Sequence, residues 1–181
     1  GASPVASFKP EYSKLVQGAV FQSGQMRLSY LIVYATIATL IMWVVWNKTT
    51  FGKNIYAVGG NPEAAKVSGV NVTRTLILVY VIAGVLYALG GFLEAARIGS
   101  ATNNVGNLYE LDAIAACVVG GVSFSGGIGK IKGVITGVLI FTLINYGLSY
   151  IGVSPYWQYI IKGLIIISAV AIDTLKYRKR T

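Results

Sequence analysis

Four long stretches of this chain contain no charged residue. They cover residues 28–47, 75–93, 113–129 and 133–161. A helix needs about 20 predominantly apolar residues to cross the hydrocarbon core of a bilayer, and these stretches approach or exceed that length. Because lipid offers the backbone no hydrogen-bond partner, we expect the spans to be α-helices. The sequence therefore predicts an all-α integral membrane protein.

Composition supports this class and argues against several others. Hydrophobic residues make up 55% of the chain and charged residues only 12%, whereas about a quarter of a typical soluble domain is charged. The net charge of +9 does not indicate a nucleic-acid partner, because the basic residues flank apolar stretches and form no single basic face. With no His and a single Cys, Cys117, we expect no metal site. We also expect no cofactor and no catalytic residue.

The order of apolar and polar stretches predicts an arm at 1–27 outside the cytoplasm, followed by a transmembrane domain at 28–181. A polar loop at 48–74 separates the first two spans. The third span is the shortest, at about 17 residues, and a helix that enters part-way and turns back is its alternative. The five predicted spans lie at about 29–47, 75–97, 108–124, 131–150 and 155–175.

Basic residues predict how the spans are oriented. With five crossings and a cytoplasmic C-terminus, the inner segments 48–74, 130–132 and 176–181 carry ten Lys and Arg, and the outer arm and loops carry four. This asymmetry is typical of inner loops. A re-entrant third segment would move Lys130 and Lys132 outside, so we favour a full crossing. Lys162 lies within the fifth span, and we interpret it as a lysine that extends to the outer surface.

The polar loop 48–74 contains signals for one short helix. Asn61 is a good N-cap, Pro62 suits the first helical position, and Glu63 complements the positive end of the helix dipole. Gly69 offers a left-handed C-terminal stop. A helix this short, roughly 10 Å long, is marginal in free solution. We therefore expect membrane spans to hold one of its faces and a partner protein the other.

Small residues recur on two of the predicted spans. Their spacing of three or four places them along one helix face, where another backbone can approach closely. We therefore expect both faces to be helix-packing surfaces. The residues are Gly84, Ala88, Gly91 and Ala95 on the second span, and Gly129, Gly133 and Gly137 leading into the fourth.

Several polar residues near or within the spans are candidates for a solute pathway. Glu94 and Arg97 are three residues apart and able to pair. Glu110 and Asp112 stand at the entrance of the third segment. Charged groups at membrane depth are functional candidates, but groups near the interface are also tolerated as structural pairs. Both interpretations stay open, and the pathway candidates are Glu94, Thr142 and Asn145.

Four longer motifs resemble the permease subunits of bacterial sugar ABC importers of the ribose and galactose type. The galactose and methyl-galactoside permeases are the most similar within that family. The resemblance covers about residue 46 to the C-terminus. The motifs are FGKNIYAVGGNPEAAKVSGVNV, LEAARIGSATNNVG, YELDAIAACVVGGVSFSGGIG and INYGLSYIGVSPYWQYIIKG.

This resemblance implies a function and partners. In the family, the short helix in the cytoplasmic loop is a coupling helix that docks on the ATP-binding cassette ATPase subunit. The resemblance further implies a periplasmic sugar-binding protein, a second permease copy in a homodimer, contact with membrane lipid, and a location in the bacterial inner membrane. It assigns the coupling role to Asn61, Pro62, Glu63, Ala64, Ala65, Lys66 and Gly69.

Family members have about twice this length and about ten spans, so the five spans correspond to the C-terminal half. The main hypothesis is a permease subunit that passes galactose, methyl galactoside or a related hexose from the binding protein across the membrane. One alternative is a secondary transporter driven by an ion gradient through Glu94, Glu110 or Asp112. No internal repeat supports it, and these carboxylates lie at helix ends. The other alternative is a non-transporting fragment or membrane scaffold.

Overall fold

The computed structural model describes residues 5–6, 8, 10–23 and 26–178. Helices dominate it, and the strands are short. In chain order the elements are β1 (Val5–Ala6), α1 (Pro10–Gln17), β2 (Ala19–Ser23), β3 (Met26–Ser29), α2 (Tyr30–Lys48), α3 (Thr50–Gly60), α4 (Pro62–Val67), α5 (Val72–Ile98), β4 (Ser100–Ala101), α6 (Tyr109–Val119), α7 (Ile131–Tyr150) and α8 (Pro155–Arg178).

The chain divides into two compact units. Unit 1 comprises Gly1–Thr49 and Thr73–Asn107, and unit 2 comprises Thr50–Val72 and Leu108–Thr181. The polar segment that carries α3 and α4 therefore clusters with α6, α7 and α8. It does not cluster with α2 and α5, the two helices that flank it in sequence.

Unit 1 consists of the two long apolar helices α2 and α5, the short helix α1 and the strands β1 to β4. The side chain of Ser29 caps α2 by accepting a hydrogen bond from the Leu31 N–H at 3.3 Å. The arm forms α1, whose Leu15 carbonyl accepts a hydrogen bond from the Tyr34 hydroxyl at 3.0 Å. Strands β2 and β3 pair as an antiparallel hairpin that leads into α2, and β1 pairs with β4. The arm is thus attached to α2 through Leu15 and to α5 through the Gln17 side chain, which donates a hydrogen bond of 3.4 Å to the Arg97 carbonyl.

Unit 2 is organised around an antiparallel pair of helices, α6 and α7. A Cβ added to Gly133 would overlap the carbonyl oxygen of Gly120, and one added to Gly137 would overlap that of Ala116. The helix backbones therefore lie in direct contact, as small residues at a helix interface permit. Phe141 packs with the buried Ala115 and Ala116 at the centre of the unit, and α8 covers this cluster.

Four helices of the described residues are long and apolar enough to cross a membrane. They are α2, α5, α7 and the part of α8 at Pro155–Leu175. The segment 108–124, which we expected to cross, instead contains the 11-residue helix α6. At 1.5 Å per residue, α6 is about 16 Å long and covers about half of the hydrocarbon core.

Both ends of α6 have a local cause. Leu108, directly before it, has a left-handed backbone with φ 65°, and Gly121, just beyond it, has φ 82°. The Gly121 N–H bonds to the Val118 carbonyl at 2.8 Å and the Val122 N–H to that of Cys117 at 3.0 Å. These bonds close the helix in the manner of a glycine C-cap. The apolar stretch continues past this stop, which is why its length overestimated the helix.

The helix contact in unit 2 generates a stability prediction. Gly133→Ala places a methyl group against the carbonyl oxygen of Gly120, so α6 and α7 must separate. We expect it to destabilise the fold by about 1–3 kcal/mol, as overpacking does. Gly147→Ala on the same helix is the matched control, because the structure leaves open space there and alanine favours helix. Thermal unfolding in detergent measures both, and equal melting temperatures would contradict the contact.

Candidate functional site

The helix α4 starts with the cap that the sequence predicts. Asn61 has an extended backbone, and its side-chain oxygen accepts a hydrogen bond from the Ala64 N–H at 3.0 Å. Pro62 takes the first turn, where its missing N–H leaves no bond unmade. Glu63 also lies in the first turn, where its charge complements the helix dipole.

The other end of α4 closes on a left-handed glycine. Gly69 has φ 83°, and its N–H donates to the Lys66 carbonyl at 3.0 Å. The next N–H, from Val70, reaches the Ala65 carbonyl at 3.0 Å. These bonds satisfy carbonyl groups that a helix end otherwise leaves open. Capping at both ends stabilises a helix of only six residues.

Almost all of α4 is exposed. Ala65 is the one buried residue of the helix, at 4% exposure. Pro62, Glu63, Ala64 and Lys66 are exposed, and Val67 is an apolar side chain with 90% of its surface exposed. A short capped helix that presents both charged and apolar side chains provides a surface suited to a protein partner.

The helix α3 connects α4 to the rest of unit 2. The Tyr56 hydroxyl donates a hydrogen bond of 2.6 Å to the carbonyl oxygen of Gly129. A Cβ added to Gly59 would lie 2.7 Å from the nitrogen of Gly127, and one added to Gly126 would overlap the Gly59 carbonyl. The backbone of α3 therefore lies directly against the glycine-rich turn between α6 and α7. We call this contact the glycine clasp, made by Gly59, Gly126 and Gly127.

Sequence reasoning missed α3 and the glycine clasp. The residues of α3 include Gly52, Gly59 and Gly60, which lower helix propensity, so the segment gave no helix signal of its own. Glycines at 59 and 60 and at 126 and 127 were visible as pairs. Nothing in the sequence indicated that the two pairs contact each other.

Asp173 fixes the same glycine-rich turn from α8. Its Oδ2 atom accepts a hydrogen bond from the Ser123 hydroxyl at 2.7 Å and another from the Phe124 N–H at 3.1 Å. Our sequence interpretation assigned it no role. The available signal was that Asp173 is the last acidic residue of the chain, just before the basic C-terminus.

A second group of polar residues lies deep in unit 2. The ammonium of Lys162 on α8 forms an ion pair of 2.5 Å with Asp112 Oδ1 on α6. It also lies 5.9 Å from the ring centroid of Phe141 and 5.7 Å from that of Tyr159. The Lys162 side chain is only 11% exposed. Our interpretation of Lys162 as a lysine that extends to the surface was therefore wrong, because α6 brings a carboxylate to it.

The three predicted pathway residues occupy different environments. Glu94 on α5 accepts two hydrogen bonds from Arg97, at 2.7 Å from Nη2 and 3.0 Å from Nε. Thr142 on α7 is exposed. Asn145, one turn further along α7, has a side-chain oxygen that is buried and has no hydrogen-bond partner among the described residues. A pathway role for these residues stays a prediction.

The two small-residue stripes also differ. Gly133 and Gly137 lie against α6, and Gly129 lies against the Val122 side chain. On α5, a Cβ added to Gly84 or Gly91 would meet no atom of the described residues within 4 Å apart from the neighbouring backbone of its own helix. Ala88 is exposed and Ala95 partly buried. The α5 stripe thus faces open space in unit 1, and its role as a packing surface stays a prediction.

These features define a multi-pass helical membrane protein with a capped helix on its surface. The family described as branched-chain amino acid transport system / permease component matches residues 2–170. The chain therefore belongs to this family of transport permeases, whose members are transport subunits rather than enzymes.

Curated relatives are similar over almost the whole chain. The galactose/methyl galactoside import permease protein MglC of Haemophilus influenzae is 68% identical over 180 residues, which are 99% of this chain and 53% of the relative. MglC of Escherichia coli is 67% identical with the same coverage. The ribose import permease protein RbsC of Bacillus subtilis is 48% identical over 77% of this chain and 44% of its own length. The chain spans about half the length of these relatives. No solved structure matched.

Hydrogen exchange tests how Asp173 holds the glycine-rich turn. Asp173→Ala removes the acceptor of the Phe124 N–H, and hydrogen bonds to charged groups contribute about 1.5–3 kcal/mol. We expect the Phe124 amide to exchange roughly tenfold faster or more. Thr174→Val is the control, because the Thr174 hydroxyl bonds to Val170 of its own helix. Unchanged exchange at Phe124 in Asp173→Ala would remove the assigned role.

Proposed function

We propose that this chain is part of the membrane permease of an ATP-driven sugar importer. The sugar is galactose, methyl galactoside or a related hexose, because relatives that are 67–68% identical are named for import of galactose and methyl galactoside. The main support for this function is α4, a helix that is capped at both ends and almost fully exposed, in a member of a permease family. An exposed helix of this kind can serve as the docking surface through which a partner moves the protein.

In this proposal α4 is the coupling helix that docks on an ATP-binding cassette ATPase subunit. Ala65 is its single buried residue and α4 contacts α3, so the remaining side chains are available to the partner. Glu63 and Lys66 supply opposite charges, and Val67 supplies an apolar contact that becomes buried on docking. The coupling residues are Asn61, Pro62, Glu63, Ala64, Ala65, Lys66 and Gly69; of these, Ala65 supports the helix from within, and the exposed Val67 adds to the docking surface.

The glycine clasp supplies a route for the movement of α4. Backbone contact leaves no flexible side chain between α3 and the turn that starts α7, so displacement of α3 must displace that turn. Tyr56 adds a hydrogen bond to the same turn, and Asp173 ties it to α8. ATP-driven motion of the partner therefore moves α7 and α8 between two arrangements that expose the sugar pathway to opposite sides.

Contacts within unit 2 also favour a cytoplasmic C-terminus. The glycine-rich turn, which precedes Lys130 and Lys132, contacts α3 on one side and Asp173 on the other. Three basic segments, 48–74, 130–132 and 176–181, therefore belong to one end of the unit, as expected for segments that stay inside. In this arrangement α6 covers the inner half of the membrane.

The remaining partners follow from the same proposal. A periplasmic sugar-binding protein delivers the hexose to the outer side, and a second permease copy completes a homodimer in the bacterial inner membrane. Lipid contacts the apolar faces of α2 and α5. The most apolar stretch of each helix contains no buried residue. The stripe of Gly84, Ala88, Gly91 and Ala95 faces open space in unit 1 and suits close packing of another membrane helix.

Charge reversal on α4 tests the coupling role. Glu63→Arg replaces an exposed acidic residue of the first turn and opposes the helix dipole. We expect at least tenfold less ATPase subunit to co-purify with the intact permease, and a matching loss of sugar uptake. Glu11→Arg is the control, because Glu11 is also an exposed acid in the first turn of a short helix but is expected on the other side. It should leave ATPase binding unchanged.

Three outcomes would contradict the proposal. The first is normal ATPase binding and uptake by Glu63→Arg. The second is equal loss of ATPase binding in both variants at equal membrane levels. The third is uptake that persists without ATP and collapses with the proton gradient, which would indicate a secondary transporter instead.

A further inference from the structure

The ion pair of Asp112 and Lys162 is costly where it lies. Lys162 is seven residues from the start of α8 and eleven from Asp173, or about 10 Å and 16 Å along the helix. Lys162 thus lies well inside the α8 span, and the ion pair brings Asp112 to the same depth. Ionisable residues at such depth are expensive and mark functional sites by default. Packing alone does not require them, because well-packed apolar residues often stabilise a buried position as well or better.

The register of α6 on α7 places a third polar group about one helical turn from this pair. Gly120 lies against Gly133 and Ala116 against Gly137, so each step of four along α6 matches a step of four along α7. Continuing this antiparallel register pairs Asp112 with Phe141, and the Lys162 ammonium does lie near both. Asn145 is one turn beyond Phe141. It therefore lies level with the start of α6, about 6 Å along the helix from Phe141.

Two features near the start of α6 are not explained by contacts among the described residues. The Asn145 side-chain oxygen is buried with no hydrogen-bond partner among the described residues, although buried polar atoms are normally paired. Leu108, directly before α6, is the one non-glycine residue with positive φ in the described chain. Strained backbone persists mainly at functional sites. In secondary transporters, substrate sites are also commonly built where a membrane helix is interrupted.

We propose that Asp112, Asn145 and Lys162 form a carbohydrate-binding site within the membrane. Asp112 and Asn145 accept hydrogen bonds from sugar hydroxyls, and Lys162 donates to them. Asp112 Oδ1 faces Lys162 as an ion pair rather than as an aligned hydrogen bond, so its other oxygen remains for the ligand. The half-exposed ring of Tyr159 offers an apolar face of the kind that sugar rings contact.

The chemistry favours an uncharged polyol over an ion. The pair of Asp112 and Lys162 has no net charge, and the Lys162 ammonium already occupies the place that a cation would take beside Asp112. Donors and acceptors lie next to each other, which matches hydroxyl groups that both donate and accept. This inference rests on the proposed function and names the groups that read the sugar.

The test compares a hexose with its monodeoxy analogues. The intact permease that contains this chain is reconstituted with its ATPase and binding protein in proteoliposomes, and uptake of each sugar is measured at saturating binding protein. A site that bonds to a hydroxyl discriminates against the analogue that lacks it. In Asn145→Leu we expect the preference for the hexose over one analogue to fall by roughly three- to tenfold. The binding protein is unchanged, so its own selectivity cancels between variants.

Asn145→Leu also avoids a folding artefact. Removal of an unpaired buried oxygen should leave the melting temperature equal or higher. Thr136→Val is the matched control on α7, because the Thr136 hydroxyl bonds to Lys132 of its own helix, and it should leave every sugar ratio unchanged. The charge-swap double variant Asp112→Lys with Lys162→Asp distinguishes a pair that only stabilises the fold from a pair that binds the sugar. We expect the swap to retain protein in the membrane but not uptake.

Each result separates this site from the proposed function. Unchanged hexose-to-analogue ratios in Asn145→Leu, or full uptake by the charge swap, would overturn the site while the wild-type protein still transports. Absence of ATP-dependent hexose uptake by the wild-type assembly would overturn the proposed function instead. Equal shifts of the ratios in Asn145→Leu and Thr136→Val would also refute the site.

Discussion

The glycine clasp is the contact on which the arrangement of unit 2 depends. Gly59, Gly126 and Gly127 bring two stretches of backbone together with no side chain between them, and any larger residue at these positions would separate them. The contact joins the polar segment of α3 and α4 to the turn between α6 and α7, and Asp173 joins that turn to α8. As a result α4 is a protruding part of a packed helical unit and not the tip of a free loop.

The bilayer imposes the second constraint. A polar group at membrane depth is costly unless it has a partner. The few polar side chains found inside the helical unit are therefore candidates for a function. Asp112 of α6 pairs with Lys162 of α8, and the buried Asn145 oxygen of α7 has no hydrogen-bond partner among the described residues. One end of unit 2 carries the exposed helix α4, and its interior carries Asp112, Lys162 and Asn145. In the proposed function, the first feature receives force from a partner and the second recognises the solute.

The sequence predicted local structure well where the cause was local. Asn61, Pro62 and Gly69 lie within nine residues of each other, and the helix they predict is present with both caps. The long stretches without charged residues predicted the helices α2, α5, α7 and α8, because this signal is also local in sequence. It overestimated α6, since a left-handed Gly121 ends that helix inside an apolar stretch. The contacts of Gly59 with Gly127 and of Asp112 with Lys162 join residues 68 and 50 positions apart, and no local pattern encodes such pairs.

In the proposed function, α4 lies on the cytoplasmic side and joins this protein to an ATPase subunit. Site-specific labelling determines which side α4 faces. Cysteine placed by Lys66→Cys, in a Cys117→Ala background, is treated with a membrane-impermeant maleimide in whole spheroplasts and in inverted membrane vesicles. We expect labelling in inverted vesicles and none in intact spheroplasts, with protection in the vesicles when the ATPase subunit is bound. Labelling of position 66 from the outside of intact spheroplasts would contradict this location of α4.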